Sequence, residues 1–494
     1  MNVMTPGAIR LKNADKLFID GQWVAADRSG RIEVVSPHTE EVAAVVAEAS
    51  EADMDRAVAA ARRAFDDGPW PRLTHRERGE WLKKLAANLS PRAPELQRAW
   101  TDQIGALAMM SPMMVGGGIA GLSYYAGLAE TFEFAKFHQP ADGHGSAVVA
   151  REPVGVTVAV VPWNAPFAIM INKIAPALLA GCTVIMKPSP ETPLDAYIIA
   201  EAAEAAGFPP GVINLVPAHR EASDYLVRNP GVDKVSFTGS TAAGRRIASV
   251  VGERIGRYTL ELGGKSAAVV LDDYDVATAA KQLAFTISIM SGQVCATLSR
   301  VVVSKRKAAD YADAIAAELK QIRVGDPYEP TTQMGPLAMR RQLDRVEGYI
   351  AKGVAEGARL VCGGGRPSDL ERGVYFQPTL FADVQSRMTI AQEEIFGPVI
   401  SLLTYEDEAE AIRIANDTNY GLYGAVFTND NDAAYRIARG MRTGGVTQNG
   451  FRMDHFLPFG GFKQSGVGRE GGLEGLKSYT EIKTILLDGA PSAL

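Results

Sequence analysis

An α/β fold with parallel sheets, divided into two or three domains, is what this sequence predicts. Three observations carry that prediction. Short runs of β-branched residues alternate with longer helical stretches, glycine and proline punctuate the junctions, and 494 residues exceed what one hydrophobic core holds.

The elements can be justified in order. Gly155–Val161 (GVTVAVV) is short and rich in valine, as a buried strand is. Ile171–Ala180 reads as a helix and Thr183–Lys187 (TVIMK) as the next strand. Pro193–Ala206 is an alanine-rich helix stopped by Gly207 and a Pro-Pro pair. Val212–Val216, Lys234–Phe237 and Ala267–Val270 continue the strands. From about Gly155 to Gly264 the strand–helix–strand rhythm is that of a nucleotide-binding half. Further on, Lys307–Lys320, Arg340–Gly357 and Glu406–Asn416 read as helices and Gly424–Thr428 as a strand. Phe132–Arg151 reads as two strands around PADGHG, an arm able to add to another sheet.

Composition narrows the classes of function. Hydrophobic residues make up 47% and charged residues 22%, ordinary for a soluble globular protein. A net charge of −6 gives no electrostatic reason to bind nucleic acid or an anionic membrane. The longest uncharged stretch, Val154–Asn172, approaches bilayer-spanning length, but Gly155, Pro162, Asn164 and Pro166 interrupt it. A buried strand followed by a loop is the better reading. The opening residues hold no apolar run followed by a small-residue cleavage site, so a cytoplasmic location is expected. Three cysteines cannot form a disulfide framework, and no Cys/His spacing suggests zinc or another metal.

One of those thiols can be a nucleophile. Cys295, in SGQVCATLSR, follows the apolar, helical run Leu283–Met290, and a helix end is one place where a thiol pKa is lowered. Cys182 and Cys362 read as packing residues. A nucleophile needs a proton acceptor, and Glu261 in LELGGK ends a strand-like run, with Gly263 and Gly264 letting the chain turn sharply behind it. Burial there would raise its pKa toward that of a useful base; an exposed strand-end carboxylate is the plainer alternative. Asn164, held between Pro162 and Pro166, is either a stiffened oxyanion donor or a turn residue. FTGSTAAG follows a strand and opens a helix whose free N–H groups can meet an anion, although it lacks GxGxxG spacing. Lys187 ends a strand where an ammonium can serve a ribose or phosphate, or simply face solvent.

Taken together, PWNAPF, KPSPETP, FTGS, LELGGK, GQVC, EEIFGP and PFGGFKQSG, in that order, resemble the aldehyde dehydrogenase superfamily over nearly the whole chain. The resemblance implies a Rossmann-like cofactor domain (residues 1–130 and 152–262), an α/β catalytic domain (263–472) and a small β arm (131–151 and 473–494). The arm would build a homodimer or homotetramer. Cys295 would be the nucleophile, Glu261 the base, and Asn164 with the backbone N–H of Cys295 the oxyanion hole. Lys187 and Glu394 would hold the two riboses, Ser240 the pyrophosphate, and Phe396 would pack near the nicotinamide. Trp163 and Gly239 would line the cofactor cleft.

The implied reaction is oxidation of a small-molecule aldehyde to its acid through a thiohemiacetal and a thioester, with NAD(P). Many NAD-preferring members carry a carboxylate three residues after the strand-end lysine, where this chain has Pro190, followed by Glu191. NAD is favoured and NADP remains compatible. The methionine-rich run Ala106–Ala126 resembles one wall of the family's substrate tunnel. With Met110, Met114, Met290, Val294, Phe451 and Phe456, it implies a hydrophobic alkyl or aromatic aldehyde. Rivals are a CoA-acylating semialdehyde dehydrogenase, against which Glu261 argues, a non-catalytic member of the fold, and, more remotely, an acyl-phosphate reductase.

Overall fold

The computed structural model describes Ile9 and residues 11–492, so the start of the chain, read above for a secretory signal, lies partly outside the described residues. The first sheet has eight strands, in the order Gly466–Val467, Arg257–Glu261, Lys234–Thr238, Val156–Val160, Thr183–Lys187, Ile213–Leu215, Leu17–Ile19 and Gln22–Val24. The five from Arg257–Glu261 to Ile213–Leu215 are parallel and deeply buried, which is why they read as near-continuous apolar runs. The chain moves outward from Val156–Val160 on one side, then returns to add Lys234–Thr238 and Arg257–Glu261 on the other. This reversal opens a crevice at the carboxyl ends of the strands, the usual place for a ligand. Register aligns Val160 with Lys187 and Phe237, and Thr238 with Glu261, so the loops bearing Asn164, Lys187, Gly239 and Glu261 leave one edge.

The second sheet has seven strands, in the order Arg359–Cys362, Thr379–Ala382, Val399–Tyr405, Leu298–Ser304, Ser266–Val270, Tyr423–Phe427 and Gly445–Gln448. All pairings are parallel except that of Arg359–Cys362. Residues 262–265 carry the chain from the first sheet into the second. The arm is a three-stranded antiparallel sheet of Thr480–Leu487, Ser146–Pro153 and Ala135–His138. Gly466–Val467 returns to cap the first sheet, although it lies in the span read as catalytic domain.

Two departures from the sequence reading have clear causes. The helix drawn from Ile171 begins at Pro166, whose fixed φ suits the first helical turn and shortens the PWNAPF loop. Ser111–Thr131, not drawn as a helix, is one of 21 residues despite its three consecutive glycines. A β-carbon on Gly118 would stand 2.5 Å from Phe167, so glycine there lets this helix press against Pro166–Ala180.

Candidate active site

The loop after Val156–Val160 carries Asn164, which is 6% exposed. Trp100 Nε1 donates to the Asn164 carbonyl at 3.0 Å, and Asn164 Nδ2 donates to the Gln293 carbonyl at 3.0 Å. The amide is therefore fixed against the backbone two residues before Cys295. Its Oδ1 has no hydrogen-bond partner among the described residues.

Cys295 does not sit at a helix end. The helix Val276–Ser288 stops, and Met290 and Ser291 take left-handed φ values of 49° and 56°, so the sulfur follows in a turn closed by Thr297 N–H donating to Val294 O at 3.0 Å. That strained stretch is anchored: Ser291 Oγ donates to Gly335 O at 2.7 Å, and Gln293 Oε1 accepts from Ala338 N–H at 2.9 Å. Instead of a lowered thiol pKa, burial pushes Cys295 above its ordinary value, with the charges of Glu394 and Glu261 adding to the effect. The expected helix-end activation is thus replaced by a need for a base. Cys182 is fully buried in the core of the first sheet, and Cys362 packs at the edge of the second.

Glu261 ends its strand 2% exposed, with neither carboxylate oxygen hydrogen-bonded among the described residues. Burial first, then the charge of Glu470, raises its pKa well above the usual carboxylate range; Lys173 and Arg469 oppose the rise. A β-carbon on Gly460 would lie 2.5 Å from Glu261 Oε1, so the PFGG run passes directly over the carboxylate. Behind it, the fully buried Lys173 ammonium bonds to Glu470 and, at 3.2 Å, to Ser236 Oγ. Sequence reasoning missed this pair, although a lysine within the apolar helix Pro166–Ala180 was a visible signal.

The crevice side of the site carries groups suited to a dinucleotide. Ser240 caps the helix Thr241–Glu253 by accepting from Ala243 N–H at 3.3 Å, which leaves its hydroxyl hydrogen and the first helical N–H groups for an anion. Gly239 has no room for a side chain, since a β-carbon would lie 2.5 Å from the Phe237 ring. Lys187 is 6% exposed; burial lowers its pKa to about 8, and Glu191 opposes that. Glu394 accepts from Gly264 N–H at 3.0 Å, and burial raises its pKa to about 7. Phe396, at φ 61°, meets Trp163 edge-on with ring centres 5.2 Å apart. Gln342 Nε2 donates to Phe396 O at 2.6 Å and Arg345 Nε to Ile395 O at 3.2 Å, so the helix Arg340–Ala355 holds this segment, a role not read from sequence.

Met110, Met114, Met290 and Trp163 pack around Trp100, Ile104, Ala106 and Ala338. Val294 is partly exposed beside the sulfur. Phe456 is exposed and lies 4.8 Å from Tyr124, on the same helix as Met114. Phe451 is apart from this group: it packs at 5.7 Å on Tyr423, against the cluster that includes Leu283 and Ile287.

Comparison with known proteins bears on this arrangement. The aldehyde dehydrogenase family model matches residues 23–485. Geranial dehydrogenase of Castellaniella defragrans is 44% identical over 474 residues, covering 96% of this chain and 98% of that protein. The 3-succinoylsemialdehyde-pyridine dehydrogenase of a Pseudomonas species is 40% identical, covering 96% and 99%. A Mycobacterium tuberculosis aldehyde dehydrogenase solved with NAD+ superposes with a TM-score of 0.93 at 43% identity, covering 96% and 98%. A cysteine-to-alanine variant of aldehyde dehydrogenase C from Pseudomonas syringae, solved with NAD+ and octanal, gives 0.93 at 38%, covering 98% and 99%. With likeness running through both sheets and the arm, this chain belongs to the aldehyde dehydrogenase family and is an enzyme that oxidises aldehydes.

Proposed function

We propose that this enzyme oxidises an apolar, alkyl or aromatic aldehyde to the free carboxylic acid by way of a thioester on Cys295. The observation that carries the reading is the convergence of Cys295, Glu261 and Asn164 where the carboxyl edge of the first sheet meets the segment leading into the second. Because the thiol pKa is raised, attack needs a base, and Glu261, itself raised, is suited to take the proton. The sulfur adds to the aldehyde carbon, and the oxygen gains charge beside the Asn164 amide and the Cys295 N–H. NAD, when bound, supplies the hydride acceptor. Lys187, Ser240 and Glu394 would hold it, while Trp163, Gly239 and Phe396 would wall its cleft. Having passed the thiol proton on to solvent, Glu261 takes a proton from the water that cleaves the thioester and gives it to the departing sulfur, which releases the acid and restores the thiol.

The methionine-lined wall supports an apolar substrate, as do the relative named for geranial and the neighbour solved with octanal. Glu261 supports water rather than CoA as acyl acceptor. The reading includes the domain division given above and assembly of copies through the arm, whose outer face exposes Ile482 and Leu486. A cytoplasmic location also belongs to it; no helix among the described residues is long and apolar enough to cross a membrane. A panel of aldehydes assayed by absorbance of reduced cofactor tests the proposal. Medium-chain and terpenoid aldehydes should give free acid without CoA, and Cys295→Ala should abolish turnover. A strict requirement for CoA, or preference for small charged aldehydes, overturns it.

A further inference from the structure

We propose that a cavity beside the Gly263–Gly264 turn is a halide site, in which a chloride ion sits against the Lys265 ammonium and the Ser266 and Thr443 hydroxyls. These groups, with Arg300, Asn416 and Tyr420, line a space of about 10 Å³ where the chain enters the second sheet. The Lys265 ammonium and the Ser266 and Thr443 hydroxyls are each buried without a hydrogen-bond partner among the described residues. Buried polar groups are nearly always paired with protein, water or an ion, so three unused donors around one small space point to an occupant.

Charge decides between water and an anion. Lys265 is 2% exposed and Arg300 1%. The Arg300 guanidinium donates only to carbonyls, those of Lys265 at 2.9 Å, Ile414 at 2.9 Å and Ala415 at 2.7 Å. Two buried cations therefore border the cavity, and no carboxylate lines it among the described residues. Arg442, which is exposed, adds a third positive group on the solvent side. A water would satisfy the donors and leave the charges unmatched, whereas an anion does both. The space admits one water-sized species, so a halide fits and a phosphate or carboxylate ligand does not.

Binding of this ion is linked to a proton. Burial first, then the charge of Arg300, lowers the Lys265 pKa to about 7; Arg345 adds to the effect, and Glu394 and Glu393 oppose it. Tyr420 and Tyr423 in the lining are raised by burial and stay neutral. Behind them Lys463 donates to the Asn416 and Thr418 carbonyls, and Asp417 is exposed. A halide favours the charged ammonium, so its affinity is greatest below pH 7 and falls as Lys265 loses its proton above it. The charged ammonium in turn lowers the pKa of Glu394, which accepts from Gly264 N–H at 3.0 Å, so the ion favours a charged carboxylate at that turn.

Crystals of the full-length protein soaked in sodium bromide at pH 6 and pH 8 test this by anomalous diffraction at the bromine edge. A bromine peak beside Lys265 Nζ is expected, strong at pH 6, weaker at pH 8 and missing in Lys265→Met. In solution, bromide should raise the wild-type melting temperature above that in sodium gluconate of equal ionic strength, whose anion is too large to enter. Apparent bromide affinity should drop about tenfold per pH unit above 7. Should Lys265→Met fail to fold, Thr443→Val carries the test: it should weaken bromide about tenfold, the loss of one hydrogen bond to a charged group. An ordered water at Lys265 with no bromine peak at either pH overturns the proposal. So does a melting temperature no higher in bromide than in gluconate at pH 6, or an unchanged affinity in Thr443→Val.

Discussion

Replacing Glu261 with glutamine keeps the shape of the side chain and removes its charge, and three consequences can be worked from its surroundings. The carboxylate is 2% exposed, unpartnered, and raised in pKa first by burial and then by Glu470. As the proposed base for water, its loss should slow thioester hydrolysis on the order of 100-fold or more, the range of general-base catalysis. Hydride transfer precedes that step, so stopped-flow absorbance at alkaline pH should show a burst of one reduced cofactor per site, then a slow linear phase. The second consequence concerns the thiol: Glu261 is one of two charges that lift the Cys295 pKa, so the variant thiol should titrate lower. The third concerns stability. A carboxyl whose folded pKa exceeds its unfolded value of 4.5 contributes stability that is full below 4.5 and is lost as pH rises through the folded pKa. Glu261→Gln lacks that loss, so its melting temperature should gain on wild type as pH rises. A steady-state rate within about twofold of wild type and no burst would refute the assignment, because a general base contributes far more than that.

Three further outcomes are expected. Asn164→Ala should lower kcat roughly 100- to 1000-fold, as loss of one oxyanion donor does, with little change in KM for the aldehyde. Iodoacetamide should alkylate the Cys295 thiol of the apoenzyme slowly at neutral pH and faster as pH climbs past 9, because its pKa is raised rather than lowered; a fast, pH-independent reaction near neutrality would contradict that direction. Gly264→Ala would bring a β-carbon to 2.4 Å from the Cys295 carbonyl and 3.1 Å from Leu422, and should lose activity while circular dichroism remains that of a folded protein.

The parallel strands were legible because both faces of each are buried, which leaves runs such as TVIMK and SAAVV with no polar alternation to confuse them. Ordered motifs, each weak alone, singled out Cys295, Glu261 and Asn164, which the fold brings close together. What escaped depends on distance or on backbone detail. Lys173 meets Glu470 across 297 residues, and no local pattern links them. The left-handed break at Met290 and Ser291, in two residues that are not glycine, turned an expected helix end into a turn, and burial with the charges of Glu394 and Glu261, all set by distant packing, raised the thiol pKa instead of lowering it. Glu191 could be seen to occupy an unusual place, but its neutralisation by Arg341 could not. The glycines of Ser111–Thr131 signal a helix breaker locally, while in the fold one of them, Gly118, serves helix–helix contact with Phe167.

The same glycine logic governs the chemistry. A β-carbon at Gly264 would strike the Cys295 carbonyl, one at Gly292 would lie 2.2 Å from the Gly397 carbonyl, and one at Gly460 would lie 2.5 Å from Glu261. The segments bearing the proposed nucleophile, base and cofactor contacts therefore touch backbone to backbone, or backbone to carboxylate, with no side chain between them to absorb a shift. The Cys295 sulfur is positioned by the GQVC turn, the LELGG turn and the EEIFGP segment together, and Glu261 by the PFGG run above it. A displacement of about 1 Å between reacting groups costs roughly 100-fold in rate, whereas the two large cores of this fold are far less sensitive to a change at their rim. Loosening any of these glycine contacts should therefore take away catalysis well before it takes away the fold, and that order of loss distinguishes a glycine kept for positioning from one kept for packing.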